Sequence, residues 1–229
     1  MSDTVLTPTP LADGLALIFD MDGVILDSNP LHREAWTVFC RRYGVEATPA
    51  MLESMYGRRN DQIVRDFFGE DLTPADIAAR GAAKEQLYRE LLASRIQEVL
   101  VPGIRAFLNR YRVVPMAVAT NAETENVDFV LDHAGLRDYF RVVVDGLQVT
   151  HPKPHPEIYL RAAELLQTAP ANCIVVEDSL TGVAAAKAAG MRVLGIATTY
   201  VNLPGADVMA DNFCDGILDE WLKAQRRAQ

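Results

Sequence analysis

Leu15-Ala16-Leu17-Ile18-Phe19-Asp20-Met21-Asp22-Gly23-Val24 is a short apolar run that ends on two carboxylates. Its first five residues carry no polar alternation, the pattern of a strand buried on both faces of a parallel sheet. In such sheets ligands bind beyond the carboxyl ends of the strands, which is where Asp20 and Asp22 fall. Two residues apart, the pair can be aimed at one small volume, and Gly23 permits a tight turn behind them. At about 4 Å two such charges repel by roughly 4 kcal/mol at an effective dielectric near 20. A hard divalent cation such as magnesium, which prefers oxygen ligands, would join them. An ordinary Asp-x-Asp-Gly turn has the same composition, so the pair alone leaves both readings open.

Outward from this stretch, four further apolar runs at 113–119, 141–144, 173–176 and 192–197 are long enough for strands. Helical patterns separate them near 103–111, 123–133, 156–166 and 179–189, with Gly135 and Gly190 where left-handed caps are wanted. Alternating strands and helices imply right-handed crossovers and an α/β fold, a Rossmann-like parallel sheet sandwiched by helices. One segment breaks the alternation. From Leu31 to about Val99 there is only amphipathic spacing: Ala35, Trp36, Phe39 and Tyr43, then Ile63, Val64, Phe67 and Phe68, then Leu87, Leu91, Leu92 and Ile96. Turn signals at Tyr43-Gly44, Thr48-Pro49, Gly69 and Thr73-Pro74 divide it. The expected organisation is an α/β core at 11–29 and 100–229, an inserted α-helical bundle at 30–99, and a loose tail at 1–10. The two thin junctions would let the bundle act as a hinged lid; a bundle fixed by packing has the same sequence pattern.

Composition narrows the function classes. The chain has 229 residues, 49% of them hydrophobic, enough to bury a core and too apolar for a disordered or fibrous protein. Its formal net charge of −9 disfavours nucleic acid as a partner. No run approaches a membrane span, and the N-terminus lacks the basic and apolar regions of a signal peptide. Cys40, Cys173 and Cys214 are odd in number and widely spaced, so a reduced, cytoplasmic setting is expected. The expected protein is a monomer acting on a small molecule.

The other strand ends are polar too: Thr120-Asn121, Asp145 and Glu177-Asp178. Thr120 and Asn121 precede a helix, so a hydroxyl and free N–H groups there could hold a phosphate, with simple N-capping by Thr120 as the plainer role. Asp178 could complete an oxygen-rich metal site or cap the Ala-rich helix that follows. Lys153 lies in His151-Pro152-Lys153-Pro154-His155-Pro156, where three prolines stiffen the loop around a side chain that must be aimed. His151 and His155 have no spaced ligand partners and read as loop residues.

Phe19-Asp20-Met21-Asp22-Gly23-Val24, Thr120-Asn121, Lys153-Pro154 and Val176-Glu177-Asp178-Ser179 resemble, in order and interval, the four motifs of the haloacid dehalogenase superfamily of phosphohydrolases. The similarity spans nearly the whole chain, including a helical cap after the first motif, and is strongest to the β-phosphoglucomutase-like phosphatases. The resemblance implies a magnesium-dependent phosphatase of a small phosphorylated metabolite, a sugar or polyol phosphate. Asp20 would be the nucleophile that forms an aspartyl phosphate, and Asp22 the general acid and base. Asp20, Asp22 through its carbonyl, and Asp178 would hold Mg2+, with Glu177 ligating or supporting, while Thr120, Asn121 and Lys153 bind the phosphoryl group.

In the cap, Arg58 and Arg59 are candidates for substrate recognition, and His32 resembles a family histidine that couples cap closure to acid–base chemistry; Gly57 reads as a turn glycine. A carboxylate at Asp22 separates the chain from the dehalogenase and phosphonatase branches. A phosphosugar mutase is the competing reading. Against it, Tyr56, Asn60 and Glu123 stand where the mutase carries cations. A phospho-Asp signalling module is the non-enzymatic alternative, disfavoured by motif order.

Overall fold

The computed structural model describes residues 14–56, 58–69 and 71–225. The expected tail at 1–10 and Gly57 lie outside the described residues. Strands β1 (Ala16–Phe19), β2 (Met116–Ala119), β3 (Val142–Val144), β4 (Cys173–Glu177), β5 (Arg192–Ile196) and β6 (Val208–Ala210) form one sheet in the order β3-β2-β1-β4-β5-β6. Every neighbouring pair is parallel. β1 is central, with Leu17 in register with Met116 on one side and Ile174 on the other, which accounts for its unbroken apolar sequence. The chain winds outward from β1 to β3, then returns to β4 and winds the other way. The crevice between the carboxyl ends of β1 and β4 is therefore the topological switch point.

Side chains alternate cleanly between two cores. Ala16, Ile18, Ala117, Ala119 and Val175 face one side, where their small size lets α7 (Glu157–Leu165) and α8 (Leu180–Ala188) pack closely. Leu17, Phe19, Val118 and Val176 face the other, under α5 (Ile104–Arg110), α6 (Thr124–Ala134) and α9 (Gly216–Ala224). There Phe19 meets Phe107 and Phe140 edge-on at 6.2 and 5.7 Å between ring centroids. This packing anchors the residue immediately before Asp20.

Between β1 and α5 stand four helices, α1 (Asn29–Arg42), α2 (Pro49–Ser54), α3 (Asn60–Phe68) and α4 (Pro74–Ala93). Thr48 and Thr73 cap α2 and α4, each followed by Pro in the first turn, and Asp76 completes a capping box with Thr73. Trp36, Phe39 and Phe67 pack edge-to-face at their centre. The chain enters and leaves this segment side by side: Asp27 N–H donates to Val99 O at 2.7 Å, and Val101 N–H to Ile25 O at 3.1 Å.

Some boundaries differ from the sequence reading. The second strand starts at Met116 rather than 113, since Val113 is half exposed in the turn before Pro115. β6 and α9 carry no expectation at all: β6 is a three-residue edge strand and α9 follows it near the chain's end. Gly135 and Gly190 do adopt positive φ, 62° and 74°.

Phe107 is 2% exposed in the aromatic cluster. Phe107→Ala should lower the unfolding free energy by about 3–5 kcal/mol, measured by urea titration, because the cavity opens under the central strand.

Candidate active site

Asp20 extends β1 by one residue, its N–H donating to Val176 O of β4 at 3.0 Å. Its carboxylate is buried, and the Lys153 ammonium lies 3.0 Å from Oδ1. Burial raises the Asp20 pKa, Lys153 opposes this, and the charges of Glu177 and Asp22 add to it, leaving the group at about 7. Lys153 is itself buried and donates to Glu177 Oε1 at 2.7 Å. Burial works against its charge, but Asp20 and then Glu177 outweigh burial and raise its pKa. The loop that carries it is tied down twice: Asn121 Oδ1 accepts from Lys153 N–H at 3.3 Å, and Glu157 accepts from the N–H groups of Thr150 and His151 at 2.8 and 3.0 Å.

Glu177 is fully buried with both oxygens engaged. Oε1 accepts from Lys153 and from Tyr159 Oη at 2.7 Å, while Oε2 accepts from the N–H groups of Asp178 and Ser179 at 2.9 Å. Burial opposes its charge, yet Lys153 and these donors hold its pKa below the usual value. Gly182 makes the arrangement possible, because a Cβ there would collide with the Glu177 carboxylate. Asp178 has the opposite balance: burial, then Glu177 and Asp20, raise its pKa well above the usual range. Its Oδ2 accepts from Thr199 Oγ1.

Asp20, Glu177 and Asp178 can each place an oxygen within 4.8 Å of the others. Of these three buried carboxylates only Asp20 and Glu177 pair with Lys153, and the Asp20 Oδ1 that faces the ammonium has no other partner among the described residues. An all-oxygen cluster with excess negative charge fits a hard divalent cation. Gly23, at φ 81°, lets the turn after Asp22 approach Asp178, since a Cβ would strike that carboxylate.

Asp22 sits apart from this cluster. Ser28 Oγ donates to its Oδ1 at 2.6 Å, and His32 Nε2 lies 3.4 Å from the same oxygen. Burial opposes its charge, but His32 and Ser28 hold its pKa below the usual value. The Lys84 ammonium donates to His32 Nδ1 at 2.8 Å, which leaves Nε2 to carry the hydrogen that faces Asp22. The His32 ring stacks on Tyr88 at 3.8 Å.

The remaining expected residues fall as follows. Thr120 ends β2, its N–H bonded to Val144 O at 3.0 Å and its Oγ1 accepting from Ala122 N–H at 3.2 Å. It is not an N-cap: α6 starts at Thr124 with Glu123 as its cap. Nor does Asp178 cap α8, where Ser179 accepts from Gly182 N–H at 3.0 Å. Asp145 caps its own loop, accepting from Leu147 N–H and Thr124 Oγ1. Arg58 pairs with Asp66 at 2.7 Å and Arg59 with Asp61 at 3.4 Å. His151 and His155 lie on the exposed loop, and His151 has a partner that the spacing did not reveal, Glu157 at 2.8 Å.

A cavity of about 380 Å³ opens over the β1–β4 crevice and brings together Asp20, Asp22, Thr120, Asn121, Lys153 and Asp178, with His32, Arg58 and Arg59 on its helical walls. Sequence reasoning missed Ser28, Thr198 and Thr199, as well as Glu85 and Asn126, and named Asn60 only as a place where the mutase carries a cation. Thr198-Thr199 carried the signal already used elsewhere, polar residues directly after an apolar run.

The model of the haloacid dehalogenase-like hydrolases matches residues 15–190. Fructose-1-phosphate phosphatase YqaB of Escherichia coli is 34% identical over 183 residues, 79% of this chain and 95% of the relative. β-Phosphoglucomutase of Bacillus subtilis is 29% identical over 219 residues, 90% of this chain and 95% of the relative. The crystal structure of β-phosphoglucomutase from Clostridium difficile superposes with a TM-score of 0.82 at 25% identity, covering 93% of this chain and 99% of its own.

The cluster of like charges predicts strong linkage between cation binding and folding. Magnesium at 100 times its dissociation constant should stabilise the protein by about 2.7 kcal/mol, read as a rise in Tm. Asp178→Asn should lose most of that rise. An equal rise in both proteins would remove Asp178 from the site.

Proposed function

The chain belongs to the haloacid dehalogenase-like hydrolase family, and from that premise we propose that it is a magnesium-dependent phosphatase of a sugar or polyol phosphate, acting through an aspartyl phosphate on Asp20. The observation that carries this reading is the buried Asp20–Lys153 pair at 3.0 Å on the cavity floor. Lys153 holds the nucleophilic carboxylate in one orientation and places positive charge where a phosphoryl group must arrive. Names of relatives support the substrate class: one is a phosphatase of fructose 1-phosphate, another a mutase of a phosphosugar.

In this reading Asp20, Asp178 and the Asp22 carbonyl hold Mg2+, which when bound neutralises phosphoryl charge. Glu177 supports the site without ligating, because its oxygens are consumed by Lys153, Tyr159 and the start of α8. Thr120 and Asn121 lie beside Lys153 to receive the non-bridging oxygens. Asp22 protonates the leaving oxygen as Asp20 attacks phosphorus. It then takes a proton from the water that cleaves the aspartyl phosphate, with His32 and Ser28 orienting it. Uncatalysed monoester hydrolysis is slow enough that accelerations reach about 10²¹, which calls for a covalent relay and charge neutralisation together.

We assign 100–229 with 11–29 to a catalytic core and 30–99 to a helical cap that closes the cavity. The paired connections at Asp27–Val99 and Ile25–Val101 support that division. Free Cys40, Cys173 and Cys214 suit a reducing, cytoplasmic compartment.

Magnesium-dependent phosphate release across sugar phosphates, polyol phosphates, nucleotides and p-nitrophenyl phosphate tests the reading, with β-glucose 1-phosphate assayed for isomerisation. Release from a sugar or polyol ester is the expected result; isomerisation without release would establish a mutase. Asp20→Asn should abolish turnover with an unchanged circular dichroism spectrum. Asp22→Asn should cost about 10²–10⁴ in kcat for poor leaving groups and much less for p-nitrophenyl phosphate. An equal loss across the series would remove the acid role.

A further inference from the structure

The cavity has two unlike ends. Its floor, described above, is built to neutralise a phosphoryl group. The opposite wall, from α3, α4 and the start of α6, presents Asn60, Lys84, Glu85, Glu123, Glu125 and Asn126. Cations on the helical walls are already committed. Lys84 is buried 2.8 Å from Glu85 Oε1, Arg58 lies 2.7 Å from Asp66, and Arg59 lies 3.4 Å from Asp61.

Glu85 is saturated as well. Asn60 Nδ2 donates to its Oε1 at 2.5 Å and Asn126 Nδ2 to its Oε2 at 2.6 Å. Lys84 is the dominant opponent of burial at Glu85, and the carboxyl is held down at about 2. The Lys84–Glu85 pair thus presents no net charge to the cavity. Glu123 and Glu125 make no ion pair among the described residues; Glu123 Oε1 accepts only a long bond from Asn60 Nδ2, at 3.3 Å. Burial, then the Glu85 charge, raise the Glu123 pKa, which marks this end as already hostile to negative charge.

We propose that this wall is a leaving-group subsite for an uncharged polyhydroxy group, with Glu123 and Asn60 as its specificity-determining residues. Substrates are then monophosphates of neutral sugars or polyols, while bisphosphates and phosphorylated acids are rejected. The proposal rests on the phosphatase reading. Hydroxyls donate to carboxylate and amide oxygens, and those are the acceptors this wall supplies. A second phosphate or a carboxylate in the same place would meet Glu123 and Glu125, while among the described residues the cations that line the cavity are already paired with acids, and such mismatches are a source of specificity by exclusion. Glu85 contributes by cancelling Lys84, which would otherwise attract an anion.

The test compares kcat/KM for fructose 1-phosphate and fructose 1,6-bisphosphate at fixed ionic strength and magnesium, with p-nitrophenyl phosphate as a generic ester. Wild-type enzyme should prefer the monophosphate at least tenfold. Glu123→Gln should narrow that ratio severalfold, and Glu85→Gln should narrow it further by freeing the Lys84 ammonium. The ratio is independent of how much of each variant is folded. Equal use of both sugars by the wild type, or a ratio unmoved in Glu123→Gln, would overturn the subsite. Failure on p-nitrophenyl phosphate as well would instead overturn the phosphatase reading, and the subsite with it.

Discussion

One buried ammonium organises this molecule. Lys153 lies between Asp20 at 3.0 Å and Glu177 at 2.7 Å, on a loop that has no regular hydrogen-bonding ladder to hold it. An isolated ammonium in that place would cost several kcal/mol. Two carboxylates from adjacent central strands remove the cost and fix the position of the charge to within a hydrogen bond. The surrounding structure follows from that requirement. Tyr159 and the N–H groups at the start of α8 satisfy the rest of Glu177, Asn121 tethers the Lys153 backbone, and the Glu157 carboxylate ties the loop to α7. Three buried acids against one buried base still leave a surplus of negative charge, which suits a hard divalent cation.

The two aspartates of the opening motif are separated by chemistry as well as by one residue. Asp20 is pushed up to about 7 by burial among acids, whereas Asp22 is held below its usual range by His32 and Ser28. Without a cation these directions are the reverse of what an ionised nucleophile and a protonated acid require, so the roles assigned to Asp20 and Asp22 depend on positive charge bound at Asp20. The division shows in their partners: Asp20 stays in line with the sheet, its N–H bonded to Val176 O, while the Asp22 carboxylate meets Ser28 and His32 at the start of α1. A side chain in the turn at Gly23 would strike Asp178.

Much of this was legible in the sequence because burial writes itself into composition. β1 is apolar throughout and β4 apolar up to Glu177 since both faces are covered, and the polar residues where they end mark the crevice. Proline and threonine announced the starts of α2 and α4, and glycine the ends of α6 and the α8 region. What escaped has physical reasons. β6 is too short to show a period, and it sits at an edge where only one neighbour constrains it. Thr120 looked like a cap because a helix follows, but Asn121 and Ala122 turn the chain before Glu123 takes that place. The Lys84–Glu85–Asn60–Asn126 network joins residues separated by up to 66 positions, and nothing local to any of them signals the others.

That network also explains how a helical insertion can serve a catalytic sheet. α4 sends Lys84 to His32 and thereby orients the ring that faces Asp22, while the adjacent Glu85 reaches across to Asn126 on α6. One turn of one helix thus touches both His32, which faces Asp22, and the opposite wall of the cavity. Of the bonds to buried Glu85 only the one from Asn126 crosses to α6, since Lys84 and Asn60 belong to the helical segment themselves. The helical segment therefore meets α6 through hydrogen bonds, with those of Asn60 to Glu123 and Arg89 to Asn126 beside it, while the Glu85 charge stays paired with Lys84. At this one buried carboxylate the Lys84 charge is balanced and the contact with α6 is made.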